Sequence, residues 1–593
     1  MTTKRSDIPK KDQWNLEVIF ASEADWAVAL TKTQERLSQI SEYQGKLSEK
    51  KNVKDCLDMV ADISRELEKI YVYASYKAVT DLSDAHFQGM EVQVQNLASE
   101  FSQTISYIRP ELVAQPESFL QSCMEDSDFL LHDFDIKGIL HTKEHTLSNA
   151  EEKLLARASV LWGDVDDIFS KLENVDMKFT PALDSEKKEH EVTHGSYGVL
   201  MQSYDRILRE NTFRSMHGQF RDHAHTFANT LNAKVKQHHF AKDIRGFDTC
   251  LSAALHGNDI DPKVYTTLVN VTEKNVTLLH DAMKIRKKVL KLDTLFPWDL
   301  RVSLVDEVDV KYTYDEAVEL ICEALHPLGD EYVSILREGL YGGWVDKYEN
   351  EGKRSGAFSG GCHDTFPYIL LNFTGSLYEV FTIAHEAGHS MHSYFARKFQ
   401  PHTKSNYTIF VAEIASTLNE RLLCDHLLKT SSSEKLKRYV LSNEIDTIRA
   451  TFYRQTNFAE FELKVHEEVE KGGTLSVDFL NKEYLEMHER YYGSHLKSDE
   501  SVAFEWARIP HFYYNFYVYQ YATGIALAYK FSDDILANTP SALESYMNLL
   551  KSGGNDFPLN QLKKVGVNMM DEAMYDSIFS RFSHLLSAFD QQS

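Results

Sequence analysis

The sequence is poor in the residues that interrupt regular structure. Its 593 residues include 12 prolines and 26 glycines, well below the usual shares of about 5 % and 7 %. No Pro- or Ser-rich linker, low-complexity tract or repeat of fixed period divides the chain. Few turn-forming residues favour long helices, so the composition predicts a mostly α fold built as one large helical body.

Cysteines and targeting signals are also scarce. The six cysteines are scattered and form no CxxC pair, which argues against a disulfide scaffold and against a structural zinc site. The first residues, MTTKRSDIPKKDQW, are polar and lack the apolar core of a signal peptide. We therefore expect a cytoplasmic protein.

The charge balance limits the possible partners. The formal net charge is −25, which disfavours nucleic acid and anionic membranes as partners. The longest uncharged stretch, IPHFYYNFYVYQYATGIALAY (Ile509 to Tyr529), is long enough to span a bilayer but contains six tyrosines, a histidine and an asparagine. The sequence therefore predicts neither a nucleic-acid partner nor a membrane helix.

What the sequence does contain is a titratable cluster in an apolar run, FTIAHEAGHSMHSYF (Phe381 to Phe395). A capping box of Ser376 and Glu379 precedes it, and the apolar spacing predicts a helix over about 377–398. His385 and His389, four residues apart, share one face of that helix, and Glu386 is offset from them by about 100°. This HExxH pattern predicts two zinc ligands and a carboxylate that acts on a zinc-bound water.

A catalytic zinc site normally has a third protein ligand. The continuation HxxGxxH fails here, because His392 stands at the glycine position and Phe395 at the last histidine position. His392 is therefore interpreted as a packing residue or a residue behind the ligands.

A second apolar helix, IFVAEIASTLNERLL (Ile409 to Leu423), supplies two candidate carboxylates, Glu413 and Glu420. Glu413 lies deeper in the apolar run, where an unpaired carboxylate is costly and a metal ion compensates. It is the predicted third ligand. Glu420, next to Arg421, is interpreted as part of a surface ion pair.

These segments resemble a known family. HEAGHSMHSYF, YTIFVAEIAST and PHFYYNFYVYQYATG, with WNLEVIF near the N-terminus and GKRSGAFSGGCHDTFPYILLNF before the first helix, resemble oligoendopeptidase F, the bacterial branch of the thimet oligopeptidase-like zinc peptidases. The resemblance covers essentially the whole chain. It implies a helical body with a deep substrate groove, zincin-type active-site helices and a small β element. It also implies one Zn²⁺ held by His385, His389 and Glu413, with Glu386 as general base and oligopeptides as substrates.

The tyrosine-rich stretch is a further candidate part of the site. His511, Tyr514, Tyr517 and Tyr521 fall at offsets of zero, three, six and ten, which predicts one slowly drifting face of a helix. Imidazole and phenol donors on such a face suit the oxyanion of a tetrahedral intermediate. The resemblance implies a histidine and tyrosines from this segment for that role; an aromatic core helix is the alternative for any one tyrosine.

The segment before the HExxH helix has two predicted parts. Glycines 352, 356, 360 and 361 predict a mobile loop, without the features of a phosphate-binding loop. Thr365 to Phe373 is predicted to be an edge strand that pairs with the substrate backbone. Cys362 beside His363 is interpreted as a spectator thiol rather than a nucleophile.

The character of the sequence changes near GSYGVLMQSYDRILRENTF. We therefore predict an N-terminal helical domain over 1–195 and a zinc peptidase catalytic region over 196–593. The predicted function is endopeptidase cleavage of short unstructured peptides. A zinc hydrolase of another class, such as a carboxypeptidase or amidase, and a non-enzymatic peptide-binding protein are the alternatives.

Overall fold

The structure of the protein is a computed structural model that describes residues 3–305 and 310–591. Helices make up 71% of it, and the described strands are few and short. The predicted fold class, mostly α with a small β element, is confirmed.

The described helices cover most of the chain. In order they are α1 (Glu23–Ile40), α2 (Lys50–Ala78), α3 (Ala85–Ile105), α4 (Ile108–Val113), α5 (Glu117–Met124), α6 (Asp133–Thr142), α7 (Asn149–Lys171), α8 (His194–Leu200), α9 (Arg206–Asp222), α10 (Ala224–Ile244), α11 (Cys250–His256), α12 (Pro262–Lys274), α13 (Val276–Val289), α14 (Tyr314–Ala324), α15 (Asp330–Tyr341), α16 (Leu377–Phe399), α17 (Ile409–Thr430), α18 (Glu434–Thr447), α19 (Arg454–Glu470), α20 (Val477–Tyr492), α21 (Tyr519–Leu536), α22 (Ala542–Ser552), α23 (Pro558–Lys564) and α24 (Asp576–Gln591).

Two small sheets interrupt the helices. The strands are β1 (Ala182–Leu183), β2 (Glu189–His190), β3 (Val345–Asp346), β4 (Phe358–Gly360) and β5 (Tyr368–Leu370). β1 and β2 form an antiparallel hairpin, whereas the second sheet has the order β3-β5-β4, with β3 parallel and β4 antiparallel to β5. Strand β5 is therefore the central strand of the second sheet.

The chain divides into two compact units, each built from three separate stretches. The first unit contains the described residues of 1–146, 309–426 and 531–567, and the second contains those of 147–308, 427–530 and 568–593. The sequence change near 195 falls within the 147–308 stretch of the second unit. The division into 1–195 and 196–593 stays a prediction.

In the first unit, aromatic side chains from the N-terminal segment support the three-stranded sheet. The Trp14 ring stacks on Tyr76 with centroids 4.8 Å apart, and both rings lie against Phe358 and Tyr368. The Tyr368 hydroxyl donates to the backbone carbonyl of Asn15 at 2.7 Å. The first residues of the chain therefore help to position the strands beside the HExxH helix.

Helix α19 is a central element of the second unit. Half-buried Arg454 at its N-terminal end pairs with buried Glu505 at 2.5 Å, and Tyr484 donates to the other oxygen of Glu505 at 2.8 Å. Because the buried Glu505 charge has these partners, the network fixes the stretch that leads into the tyrosine-rich segment.

Helices α12 and α13 are separated at Asn275, which leaves the helical conformation and whose side-chain amide donates to the Val271 carbonyl at 2.9 Å. Within the described residues, no helix is long and apolar enough to cross a membrane.

Candidate active site

The predicted HExxH helix is present as α16. Ser376 and Glu379 form the predicted capping box. His385 and His389 lie one turn apart, and their Nε2 atoms are 3.2 Å from each other. The helix therefore aims both imidazoles at one point, as the spacing predicted.

Helix α17 brings Glu413 to the same point. One carboxylate oxygen of Glu413 lies 3.5 Å from the Nε2 atom of each histidine. The approach depends on Gly388, because a Cβ atom there would lie 2.4 Å from the Ala415 carbonyl oxygen of α17. Only a residue without a side chain permits this separation of the two helices.

The three donor atoms fit a tetrahedral zinc ion. Zn–N and Zn–O distances of about 2.0–2.1 Å place neighbouring ligand atoms about 3.3 Å apart, close to the 3.2, 3.5 and 3.5 Å measured here. His385, His389 and Glu413 form the group found among the described residues that could hold a metal ion. Two imidazoles and a carboxylate are also the donor set of catalytic zinc sites that keep one position open.

A second layer of hydrogen bonds orients each donor. The Nδ1 atom of His385 donates to a Glu420 carboxylate oxygen at 2.5 Å, the Ala412 backbone carbonyl accepts from the His389 ring, and the Ser416 hydroxyl donates to Glu413 at 2.8 Å. Such partners fix the tautomer and direction of a metal-binding side chain.

The interpretation of Glu420 as part of a surface ion pair is wrong. Its carboxylate is half-buried and bonded to His385. Because α17 places residues seven apart on nearly the same face, Glu413 reaches the Nε2 side of the histidines while Glu420, two turns on, reaches the Nδ1 side of His385.

The two histidines have opposite pKa shifts. Burial lowers the pKa of His385, but the hydrogen bond to Glu420 and the charges of Glu420 and Glu413 outweigh burial and raise it to about 9. Burial lowers the pKa of His389, and the Glu413 charge offsets only part of that effect. Without a metal ion, His385 therefore carries a proton at neutral pH and His389 does not.

Glu386 lies beside this cluster and is 8% exposed. Burial raises the pKa of its carboxyl, the positive charge of His385 lowers it, the charge of Glu413 raises it and a hydrogen bond from the Ser359 backbone lowers it. The net shift is upward, which suits a proton acceptor at neutral pH.

His392 packs behind the three donor side chains. Its ring stacks on Tyr407 with centroids 3.6 Å apart, and it is buried. Burial lowers the pKa of His392 to about 3, so the ring is neutral. It is absent from the cluster of His385, His389 and Glu413, in agreement with its interpretation as a packing residue.

The strand predicted over Thr365 to Phe373 is shorter than expected and is not an edge strand. Only β5 (Tyr368–Leu370) is extended, and it is paired on both sides. The two edge strands are β3 and β4, and β4 contains glycine 360, which was predicted to lie in a loop. The loop prediction failed at this position because the chain pairs with β5 as an antiparallel strand, with Ser359 opposite Ile369.

The free edge of β4 faces the site through Ser359. The backbone N–H of Ile369 donates to the Trp344 carbonyl, so the N–H and C=O groups of Ile369 face β3. Ser359 lies opposite Ile369, and its own N–H and C=O groups therefore face away from β5. The Ser359 hydroxyl contacts the hydroxyl of buried Ser390 on α16 at 2.8 Å. Strand β4 is therefore tied directly to the HExxH helix.

Cys362 follows β4 and is buried. Burial raises the pKa of its thiol to about 11, so the sulfur is protonated at neutral pH. A protonated, buried thiol is not a nucleophile, in agreement with the interpretation of Cys362 as a spectator.

The second unit contains the tyrosine-rich segment, and the prediction of one helical face there is wrong. Residues Pro510–Tyr513 form a 3₁₀ turn, Asn515 and Phe516 have φ values of +51° and +59°, and helix α21 begins only at Tyr519. Pro510 and the two left-handed residues prevent a continuous helix.

The four predicted side chains nevertheless lie together, and we name them the ring cluster. The His511 ring is 5.5 Å from Tyr514 and 6.1 Å from both Tyr517 and Tyr521, measured between centroids. Tyr514 is 57% exposed, and the other three rings are half-buried. The neighbouring Tyr513 is buried, with its hydroxyl bonded to Thr230 at 2.8 Å.

Comparison with known proteins decides the family. The family model described as Peptidase family M3 matches residues 199–580, and that described as Oligopeptidase F matches residues 111–179. The chain belongs to peptidase family M3. The resemblance to oligoendopeptidase F is confirmed. The protein is therefore a metallopeptidase of the oligoendopeptidase F group. The non-enzymatic alternative is set aside on this ground.

Related proteins match this chain over nearly its whole length. Oligopeptidase PepF of Bacillus subtilis (strain 168) is 37% identical over 589 residues, which cover 99% of this chain and 88% of the relative. A crystal structure of a protein from Chlamydophila abortus has a TM-score of 0.95 and 38% identity, and covers all of both chains. The structure of oligoendopeptidase-F from Enterococcus faecium has a TM-score of 0.75 and 32% identity over 96% of this chain and 99% of its own.

The sequence pattern did not reveal the residues that orient the three donor side chains of His385, His389 and Glu413. Ser416 follows Glu413 by three residues and Glu420 follows it by seven, which are the intervals that share a helix face. That spacing was a usable signal. The backbone contacts of Ala412 and Ser359 had no signal in the sequence, since they depend on how α16 packs against α17 and β4.

Proposed function

We propose that the protein is a zinc-dependent endopeptidase that hydrolyses internal peptide bonds of short unstructured oligopeptides. The observation that carries this proposal is the triangle formed by His385 Nε2, His389 Nε2 and the Glu413 carboxylate, with sides of 3.2, 3.5 and 3.5 Å. The substrate class is supported by the names of the relatives, among them oligopeptidase PepF of Bacillus subtilis.

The chemistry assigns a distinct task to each group. A zinc ion held by His385, His389 and Glu413 would polarise the scissile carbonyl and would lower the pKa of a bound water from about 15.7 to about 7. Glu386 accepts the proton of the attacking water and delivers it to the leaving amine. The Ser359 backbone holds the Glu386 carboxylate in place, and Glu420, Ala412 and Ser416 hold the three ligands.

Backbone pairing accounts for binding of varied peptides. The Ser359 backbone N–H already donates to Glu386, so the outward edge of β4 offers the Ser359 carbonyl, and an extended peptide whose N–H donates there needs no particular side chain. The proposed pairing strand is therefore β4 rather than the Thr365 to Phe373 segment.

The ring cluster has a proposed role in the same reaction. His511, Tyr514, Tyr517 and Tyr521 carry N–H and O–H donors that suit the negative oxygen developed in the transition state. Burial lowers the pKa of His511, so the ring is neutral at pH 7 and donates from one nitrogen only.

The test combines metal removal with product analysis. A purified sample treated with 1,10-phenanthroline should lose peptide cleavage and zinc together, and equimolar Zn²⁺ should restore both. Mass spectrometry of products from a mixed peptide library should show internal cuts. Removal of single terminal residues would instead favour a carboxypeptidase, and cleavage that persists without metal would refute the zinc site.

A further inference from the structure

The backbone that carries the ring cluster has an unusual local conformation. Asn515 and Phe516 are consecutive residues with side chains in the left-handed region, at φ +51° and +59°. Such conformations are unfavourable for residues other than glycine and persist only where the surroundings impose them. The two residues lie between Tyr514 and Tyr517, so they determine the spacing of those rings.

One buried carboxylate contacts this turn directly. Glu462 of α19 is 0% exposed, and one of its oxygens accepts the Phe516 backbone N–H at 2.5 Å. Within the described residues, its second oxygen is buried and has no hydrogen-bond partner. Burial raises the pKa of Glu462 to about 8. A fully buried carboxyl group whose one described hydrogen bond is to a strained turn calls for an explanation, because its burial is costly.

The neighbouring side chains fix the same turn from other directions. The buried Phe516 ring lies 4.3 Å from His466 and 5.6 Å from Tyr265, between centroids. The Phe512 ring packs on Phe458 and Phe461 of α19. Apolar packing therefore holds the side chains of the segment, whereas Glu462 holds the backbone at the left-handed position itself.

We propose that Glu462 is a positioning residue for the ring cluster: by accepting the Phe516 N–H, it fixes the left-handed turn that places Tyr514 and Tyr517 beside His511. Its effect on catalysis rests on the role proposed above for the ring cluster. Because donors to a developing charge must be placed closely, a displacement of about 1 Å costs about 10²-fold in rate.

Three substitutions at one position isolate the hydrogen bond. Glu462→Met keeps an unbranched side chain of similar size but removes the acceptor. Glu462→Gln keeps an acceptor oxygen at the same distance. Glu462→Asp keeps the carboxyl group but withdraws it by one C–C bond of about 1.5 Å. If the Met variant does not fold, the Asp variant tests whether the hydrogen bond to Phe516 matters. Glu467→Met is the matched control, because Glu467 is a half-exposed carboxylate on the same helix.

The measurements are kcat and KM on a short peptide, zinc content, and hydrogen exchange of the 514–518 segment in the zinc-loaded enzyme. We expect Glu462→Met to lower kcat by about 10²-fold with little change in KM or zinc, and to speed exchange in this segment. Glu462→Gln should recover most of kcat, and Glu467→Met should match the wild type.

His511→Ala separates the inference from the proposed function. If His511→Ala lowers kcat while Glu462→Met leaves both kcat and exchange unchanged, the positioning role is wrong and the role of the ring cluster stands. If His511→Ala leaves kcat unchanged, the role of the ring cluster is wrong. Exchange alone then decides: faster exchange in Glu462→Met sustains positioning by Glu462, and unchanged exchange overturns it.

Discussion

The Nδ1 atom of His385 lies 2.5 Å from a carboxylate oxygen of Glu420, and Glu413 lies on the opposite side of the same ring. Two glutamates seven residues apart on one helix thus contact one histidine at its two nitrogens. The first is placed to bind metal and the second to orient the histidine, so the two should respond differently to substitution.

Substitution of these two glutamates distinguishes ligand from orienting residue. Glu413→Ala should abolish stoichiometric zinc binding, because it removes one of three ligands. Glu420→Gln should keep one zinc per chain at saturation but weaken affinity by about 10–100-fold. Zinc titration against a competing chelator measures both values. Equal affinities in the two variants would contradict this division of roles.

Glu386→Gln should separate metal binding from catalysis. The variant should retain zinc and bind peptide, since the amide has nearly the shape of the carboxylate. Turnover should fall by about 10²–10⁴-fold, because the attacking water loses its proton acceptor. Single-turnover kinetics with parallel zinc analysis check this. Near-normal turnover in a variant with full zinc would refute Glu386 as the general base.

Zinc binding should release about one proton at pH 7.5. The raised pKa of His385, about 9 in the metal-free site, means that the ring is protonated at this pH and must lose that proton to bind metal. Calorimetric titrations in two buffers of different ionisation enthalpy give the number released. Glu420→Gln should release fewer protons, because the negative charge that raises the pKa of His385 is removed.

Gly388→Ala should damage the site through packing alone. The new Cβ atom would lie 2.4 Å from the Ala415 carbonyl oxygen, so α17 must move and Glu413 moves with it. We expect a lower melting temperature and weaker zinc binding. Gly89→Ala is the control, because a Cβ atom at this position in α3 meets no atom within 4 Å. It should be neutral or stabilising by about 0.5–1 kcal/mol.

The proposed pairing of substrates with the edge of β4 predicts which substrates are cleaved. Pairing with the Ser359 carbonyl needs a free backbone N–H on the substrate, and folded proteins have already used these groups internally. Peptides of roughly five to twenty residues, the range that the family resemblance implies, should be cut efficiently and native globular proteins hardly at all. Incubation of a peptide ladder and a folded protein at equal molarity tests this. Rapid internal cleavage of the folded protein would contradict it.

Methylation of the peptide backbone gives a sharper test of the same edge. Methyl groups placed on single amide nitrogens around the cleaved bond should raise KM at one or two positions and leave the others unaffected. A uniform response across all positions would mean that β4 does not pair with the substrate.

The sequence predicted most of what depends on helical spacing. The bounds of α16 and the shared face of His385 and His389 follow from periodicity. Glu413 meets them as predicted, but the deeper burial for which it was chosen is absent, because its side chain is 32% exposed and that of Glu420 is 28% exposed. Contacts set by tertiary packing were harder to predict. Glu420 had the right spacing but its charged neighbour Arg421 suggested a surface position, and the turn at Asn515 and Phe516 depends on Glu462, which lies 54 residues from Phe516 in the chain.

Strand β4 leaves a sheet edge unpaired within the described residues, and exposed edges are where chains tend to aggregate. Here the risk is limited by length, because β4 has three residues and only Ser359 directs its backbone outward, with its N–H already bonded to Glu386. A neighbouring chain can form few hydrogen bonds there, each with a net value of about 0.5–1.5 kcal/mol. The same shortness means that cleaved fragments held by this edge dissociate easily, so product release should not limit turnover.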